Sequence, residues 1–363
     1  MTNEFQSKKS IKTNLIVGLN PALQRTIQLQ SSDLIPGEVH RAANVNIGIG
    51  GKGQNAFTAT NCMGNAHHFE LLQFVGNGFE GDSVLQLIDA KKTLKGNSYN
   101  SNQFTVRPST PCRTCITLVS PSSTTEIVEP SGSVSQQEVD QLLSALASAG
   151  KVGGLAVMGS MPPGCPPRLY GDIIRLACDS GSQVVIDSVT DVAACLAAAE
   201  TAQCGTVILK VNARELCKLA GAAEAAVGAA VDPAVQRAAA ASLLATASSS
   251  AYIATTDGPH PAFLFSAGSG RSWQLPLPAL SFPVRNPIGA GDAVAAGTIN
   301  FLCGLVDAGG SEDREHGDER ALAAFRWGLA CGAASCASNT NSEFDLAAAV
   351  DIFRRITPTT YEN

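Results

Sequence analysis

Thr206-Val-Ile-Leu-Lys-Val-Asn-Ala-Arg-Glu-Leu-Cys-Lys-Leu-Ala-Gly221 holds the repeating unit of the fold. Thr206 to Leu209 is a short apolar run, the pattern of a strand buried on both faces. Asn212 with Glu215 three residues later is a capping box, so a helix starts there, covers Ala213 to Ala220 and stops at Gly221. The alternation recurs outward in both directions. Strand-like runs lie at Asn14 to Leu19, Leu71 to Val75, Gly154 to Met158, Gln183 to Ile186 and Tyr252 to Ala254. Helix-like segments lie at Gly53 to Met63, Gln136 to Ala149 and Pro167 to Asp179. Strands alternating with helices of this length predict an α/β fold, a mostly parallel sheet covered by helices on both faces.

Two stretches break the alternation. Thr26 to Gln30 with Val39 to Val45, and Thr114 to Val119 with Glu126 to Glu129, read as β-rich segments without partner helices. They are expected to pair as a small separate sheet over one edge of the main domain. Ala222 to Ala251 is rich in Ala and Ser and reads as helical surface structure without chemistry, with Pro233 as a helix start.

With 45% hydrophobic and 15% charged residues over 363 positions, the chain has the composition of a folded protein rather than a disordered one. Lys and Arg number 25 against 31 Asp and Glu, a net charge of -6, which argues against nucleic acid or an anionic membrane as partner through a general basic field. No apolar run approaches a membrane span, and Met1 to Ser10 contains Glu4 and no apolar core, so a cytoplasmic protein without a secretory leader is expected. The eleven cysteines are scattered. Cys112 and Cys115 have the spacing of a zinc half-site or redox pair, but no second half-site follows and they open a strand-like run. Buried free thiols are expected.

Two glycine clusters carry the chemistry. Gly48, Gly50 and Gly53 satisfy G-x-G-x-x-G, with Glu70 near the place of a ribose-binding acid, yet the fingerprint belongs at the end of the first strand and that strand has already ended at Leu19. A Walker A loop fails too, because Asn46 stands where its first glycine belongs and Gly53 follows Lys52. What remains is a glycine loop that lets a ligand approach the backbone, with Lys52 and Asn55 facing it; a structural turn is the competing reading.

The second cluster, Asn286-Pro-Ile-Gly-Ala-Gly-Asp292, runs into a helix over Ala293 to Cys303 stopped by Gly304. Consecutive backbone N–H groups at a helix N-terminus form an anion site, since they lack intrahelical acceptors and sit at the positive end of the dipole. Asp292 is placed to face what that anion transfers to, and this arrangement suits phosphoryl transfer with the carboxylate as proton acceptor. An ordinary first-turn aspartate is the alternative. Asp187 ends another strand, where open α/β sheets put ligand-contacting side chains, and Glu215 can cap its helix and also hold hydrated Mg²⁺.

In order along the chain, Leu19 to Ala22, Gly50 to Asn55, Arg113 to Ile116, Thr125 to Glu129, Gly159 to Gly164, Ile186 to Ser188, Lys210 to Leu216 and Asn286 to Asp292 resemble the PfkB (ribokinase-like) carbohydrate kinases. They are most similar to the branch that phosphorylates sugar phosphates, with its 1-phosphofructokinases and tagatose-6-phosphate kinases. The similarity runs from about Asn14 to Asn341. It implies a Rossmann-like domain over 12–356 with lid segments at about 24–46 and 103–130, tails at 1–11 and 357–363, and ATP and Mg²⁺ as cofactors. The lid would cover the sugar and, as in many members, form a homodimer contact.

By the same resemblance Asp292 is the general base, and Gly289, Ala290 and Gly291 form the anion hole. Lys210, Asn212 and Glu215 match the nucleotide-phosphate and magnesium motif, with Asp187 near the metal. Thr256 and Gly258 stand beside the nucleotide and Ser335 near the adenine. Asn20, Gly51, Lys52 and Asn55 match positions that meet sugar hydroxyls. Arg113 matches the lid arginine for the substrate's existing phosphate, with Ser160 and Glu129 as lesser candidates.

Three departures from the pattern stand out. Gln24 occupies the place of an aspartate that accepts bonds from two sugar hydroxyls; an amide accepts through one oxygen only. Val211 replaces a proline and Ala293 a serine, both tolerable changes. The implied reaction is ATP-dependent phosphorylation of a ketose phosphate, with fructose 1-phosphate expected ahead of tagatose 6-phosphate or fructose 6-phosphate. A free-sugar or nucleoside kinase, and a non-catalytic ligand-binding scaffold, are the rivals.

Overall fold

The apolar runs form the middle of one ten-stranded sheet in the computed structural model, which describes residues 13–30, 34–93, 103–121, 123–222, 229–306 and 317–361. The expected tail at 1–11 lies outside the described residues, as do residue 12, 31–33 and 122 of the expected lid segments, 223–228 of the Ala/Ser-rich stretch and 362–363. The strands are β1 (Asn14–Val17), β2 (Ala22–Leu29), β3 (Ala42–Gly50), β4 (Phe69–Phe74), β5 (Thr105–Val106), β6 (Arg113–Val119), β7 (Thr124–Val128), β8 (Gly154–Met158), β9 (Gln183–Asp187), β10 (Val207–Asn212), β11 (Ala251–Asp257), β12 (His260–Ser266), β13 (Ser272–Leu275) and β14 (Thr359–Thr360). The helices are α1 (Lys52–Cys62), α2 (Gly78–Thr93), α3 (Gln136–Ala149), α4 (Leu169–Ala177), α5 (Val192–Thr201), α6 (Ala213–Ala220), α7 (Pro233–Leu244), α8 (Ala290–Leu302), α9 (Asp318–Ser335) and α10 (Leu346–Arg355).

The large sheet has the order β14-β13-β12-β11-β10-β9-β8-β1-β4-β5 and is parallel from β11 to β5. Its side chains alternate between two cores. Ile16, Val185 and Ile208 face the core built with α1, α8 and α9, whereas Leu15, Val184 and Leu209 face the one built with α3, α4 and α5. Both faces of these strands are dry, which is why they read as unbroken apolar runs.

The antiparallel extension β12–β14 is a departure from the expected alternation. It begins where Gly258, at φ +58°, turns the chain from Asp257 back to His260. Helices α2, α5, α9 and α10 were also not marked by the periodicity. In α9, residues all round the helix are buried, from Ala321 through Trp327 to Ala334, so no polar stripe reveals its period. Helix α7 starts where expected, with Asp232 as N-cap and Pro233 in the first turn.

The stray segments do form a second sheet, in the order β3-β2-β6-β7. Strands β2 and β6 run parallel, with β3 and β7 antiparallel at the edges. The sheet starts at Ala22 and extends to Gly50, further toward the body than expected, while Thr105 and Val106 pair with β4 at the edge of the large sheet. All eleven cysteines are free, including Cys112 and Cys115, both buried. No helix among the described residues is long and apolar enough to cross a membrane.

Helix α1 meets the end of β1 through a glycine pair. A Cβ on Gly53 would lie 2.4 Å from the Gly18 Cα, too close for any side chain. Gly53→Ala is therefore expected to destabilise the protein by about 1–3 kcal/mol, read as a lower urea midpoint at unchanged slope.

Candidate active site

The C-terminal ends of β1, β8, β9, β10 and β11 open on one side of the sheet, where doubly wound folds bind ligands. The lid sheet faces the same opening. Between them lies a cavity of about 1260 Å³, larger than the roughly 300–1,000 Å³ that holds one drug-sized ligand. Of the residues singled out in the sequence, Asn20, Gln24, Gly51, Lys52, Asn55, Arg113 and Ser160 line it toward the lid. Lys210, Asn212, Glu215, Thr256 and Gly258 line it from the strand ends, and Gly289, Ala290, Gly291 and Asp292 from the start of α8. Asp187, Glu129 and Ser335 do not line it.

The α8 entry is built by a left-handed residue, Gly289 at φ +83°, which turns the chain into the helix. The Ala290 N–H closes a turn onto the Pro287 carbonyl at 3.2 Å, so it is not wholly available to a ligand as expected. Gly291 and Asp292 donate their N–H groups to no backbone acceptor among the described residues. The Lys210 ammonium adjoins this opening, 2.9 Å from where a Cβ on Gly291 would lie.

Asp292 as a residue is 7% exposed, and its carboxylate accepts a 2.8 Å bond from Asn55 Nδ2. Burial, followed by the negative charge of Asp187, pushes its carboxyl up to about 7, against the pull of Lys52, Asn55 and Lys210. The Asn55 Oδ1 is buried and has no hydrogen-bond partner among the described residues.

Asp187 is fully buried at the end of β9, with its two oxygens each 2.7 Å from an ammonium, Oδ1 from Lys52 and Oδ2 from Lys210. Burial alone would push its carboxyl up; the two lysines outweigh this and hold it below the usual carboxylate range. Lys52 also lies 3.8 Å from Glu215 Oε1. Burial works against its charge, yet Asp187, Asp292 and Glu215 together raise it above the usual lysine range. The second oxygen of Glu215 accepts the Asn212 N–H at 2.8 Å, completing the capping box.

Toward the lid, Asn20 Nδ2 donates to Ser160 Oγ at 3.1 Å. Arg113 turns one edge of its guanidinium onto the Asn20 carbonyl at 2.9 Å and the Pro21 carbonyl at 3.4 Å. Gln24 Nε2 donates to Thr117 Oγ1 at 2.8 Å, leaving its carbonyl oxygen beside Gly50, 3.1 Å from an ideal Cβ there. Glu129, expected on the sugar side, instead accepts the Thr114 N–H at 2.7 Å along the lid edge. Glu126 and Val128 are the β7 residues that reach the cavity, a consequence of two-residue alternation.

At the other end the cavity wall turns apolar, with Leu280, Val284, Leu329, Ala333 and Cys336. None of these was marked by the sequence, because apolar residues on helices and loops look like core. Ser335, expected beside an adenine, is 1% exposed and bonds its own helix at the Gly332 carbonyl, 2.8 Å away. Positions 329, 332, 333 and 336 face the cavity at helical spacing, and that rotation puts 335 on the core side.

A family model described as pfkB family carbohydrate kinase matches residues 16–343. A tagatose-6-phosphate kinase of Staphylococcus epidermidis is 27% identical over 175 residues, 48% of this chain and 52% of that protein. The chain thus spans about half the length of the curated relatives it matches. Among solved structures, phosphofructokinase-2 from Escherichia coli in complex with substrates and products has a TM-score of 0.72 at 18% identity, covering 95% of this chain and 99% of that one. A possible 1-phosphofructokinase from Thermotoga maritima has a TM-score of 0.69 at 19% identity, covering 96% of this chain and 100% of that one. The structural likenesses establish the ribokinase-like architecture, a parallel sheet with an added lid, and the family match runs through both sheets and through the Asn286–Asp292 turn. The chain belongs to the pfkB family of carbohydrate kinases.

Proposed function

We propose that this protein transfers the γ-phosphoryl group of ATP to a hydroxymethyl group of a ketose phosphate, with fructose 1-phosphate as the first candidate acceptor. The observation that carries this reading is Asp292: a buried carboxylate inside a large cavity, with an affinity for protons near neutrality, beside free N–H groups and the Lys210 ammonium. The acceptor hydroxyl loses its proton to Asp292 as its oxygen attacks the γ-phosphorus, and ADP leaves. The N–H groups of α8 and the Lys210 ammonium meet the charge on the transferred group.

The donor set suits a hydrated magnesium ion. Glu215 keeps one oxygen outside its capping bond, free of the helix and able to meet a hydrated ion. Magnesium, when bound with ATP, neutralises phosphate charge. Asp187 acts instead through the two lysines whose ammonium groups occupy its oxygens.

The apolar end of the cavity suits the base of the nucleotide, with Thr256 and Gly258 near it, and the lid end suits the sugar. Arg113 has its Nη1 end left over from its bonds to the Asn20 and Pro21 carbonyls, and that end can meet the phosphate the substrate already carries. Asn20, Gly51, Asn55, Ser160 and the Gln24 carbonyl are in place for hydroxyls. The relatives' names, tagatose-6-phosphate kinase and phosphofructokinase, support a phosphorylated acceptor.

The far face of the lid supports the homodimer. Gln24, Glu126 and Val128 face the cavity, so the intervening Ile127 and, across the sheet, Val45 and Ile47 point away. These three are 52%, 41% and 55% exposed, an apolar patch suited to a second copy of the same sheet. A tetrameric inhibited form is named for the E. coli phosphofructokinase-2.

Asp292→Asn should lower kcat by roughly 10²- to 10⁴-fold with ATP affinity little changed; near-normal turnover would remove the general-base role. In the wild type, kcat/KM should rise as pH increases through about 7, where Asp292 loses its proton. Because folding raises this carboxyl from its ordinary value of 3.8, its stability contribution is full below that value and is lost as pH rises through about 7. The Asn variant should therefore gain stability over the wild type above pH 7, with the gain shrinking as pH falls toward 4; equal pH dependence of the two melting curves would contradict the raised value.

A coupled ADP-release assay over fructose 1-phosphate, fructose 6-phosphate, tagatose 6-phosphate, free fructose and a nucleoside should show turnover with a phosphorylated ketose. Arg113→Ala should raise KM for that substrate at least tenfold while leaving free sugars unaffected. Exclusive use of free sugar would reassign the arginine. In sedimentation velocity the wild type should run as a dimer and Ile47→Glu as a monomer; a wild-type monomer at every concentration would end the lid-contact proposal.

A further inference from the structure

Ser342 adopts a backbone conformation that serine avoids. Its φ is +59° and it is fully buried. The other non-glycine residues with positive φ among those described, Asp191 and Gln203, are partly or well exposed. A Cβ in the left-handed region is crowded by its own backbone, and glycine would meet the same geometry without strain. Strain held at a buried position points to a reason for the side chain.

Among the described residues the side chain has one hydrogen-bond partner. Ser342 Oγ donates to the Gly289 carbonyl at 2.7 Å, and the same oxygen accepts the Ala293 N–H at 2.9 Å, the bond that opens α8. Gly289 is itself left-handed, and a Cβ on it would lie 2.5 Å from Ser342 Oγ and 3.0 Å from Ser342 N. The two residues therefore interlock. One position earlier, Asn341 Oδ1 accepts from Asn286 Nδ2 at 3.0 Å, and Asn286 Oδ1 accepts the Ile288 N–H at 3.0 Å. Residues 341 and 342 grip both ends of the turn that leads into the helix.

A peptide unit is planar, so fixing the Gly289 carbonyl fixes the Ala290 N–H on the same plane and limits the rotation of the unit that follows. We propose that Ser342 is a positioning residue for phosphoryl transfer: its hydroxyl holds the Gly289–Ala290 peptide, and through it the aim of the α8 N–H groups and of Asp292. The inference rests on the phosphoryl-transfer reading above. It needs no ligand contact by Ser342 itself.

Two variants separate positioning from mere packing. Ser342→Gly removes the hydroxyl and the strain together, so its Tm should equal or exceed that of the wild type while kcat falls roughly tenfold, with KM for ATP within about twofold. Ser342→Ala removes the hydroxyl and keeps the strain, so kcat should fall similarly while Tm drops. A purely structural serine would make kcat follow Tm in both, and that result, or kcat within about twofold of wild type in both, overturns the proposal.

Calorimetry with ADP and aluminium fluoride, a mimic of the group in flight, gives a readout that needs no sugar turnover. Both variants should bind ADP as the wild type does and lose about tenfold of the affinity that fluoride adds; an unchanged fluoride effect overturns the proposal. Wild-type turnover on the sugar-phosphate panel keeps the two failures apart. A wild type that turns over beside unaffected variants sinks only the role of Ser342, whereas a wild type that phosphorylates nothing sinks the parent reading.

Discussion

A carboxylate with no exposed surface, shared by two ammonium groups, is the interaction on which the site depends. Asp187 ends β9, Lys210 lies on the neighbouring β10, and Lys52 opens α1. Burying an isolated charge is costly, and removing one partner from a buried pair typically costs about 3–5 kcal/mol. The triad therefore holds the strand ends and α1 at fixed separation. It also leaves ammonium charge close to the cavity.

Asp292 shows the other side of the same electrostatics. It lies near enough to Asp187 for the two negative charges to compete, and the lysines favour Asp187. One carboxylate stays charged and structural; the other is left near neutrality and able to take a proton. Pairs of acids driven apart in this way are how a single site divides fixed charge from proton transfer. The Asn55 amide donates to Asp292, and its buried oxygen has no partner among the described residues.

The lid follows from simple alternation along its strands. Gln24 of β2, Arg113 and Cys115 of β6 and Glu126 and Val128 of β7 look into the cavity, and Ile127, Val45 and Ile47 look out. Gln24 changes the chemistry of the inner face, because Thr117 takes its amide donor and a single carbonyl oxygen remains for a ligand. An aspartate there would present two acceptors.

The sequence by itself determined the parallel sheet, since residues dry on both faces must be apolar throughout, and it marked the turns whose glycines and capping pairs are local devices: Gly289 to Asp292, and Asn212 with Glu215. It also exposed the lid as strands without helices. Tertiary structure alone decided which way helical residues face, so Ser335 fell on the core side of α9 and Leu329, Ala333 and Cys336 on the cavity side. The partners of Asp187 and the grip of Ser342 on Gly289 likewise had no local signal: they join positions 23 to 135 and 53 residues apart, and only packing brings such charges and hydroxyls within bonding distance.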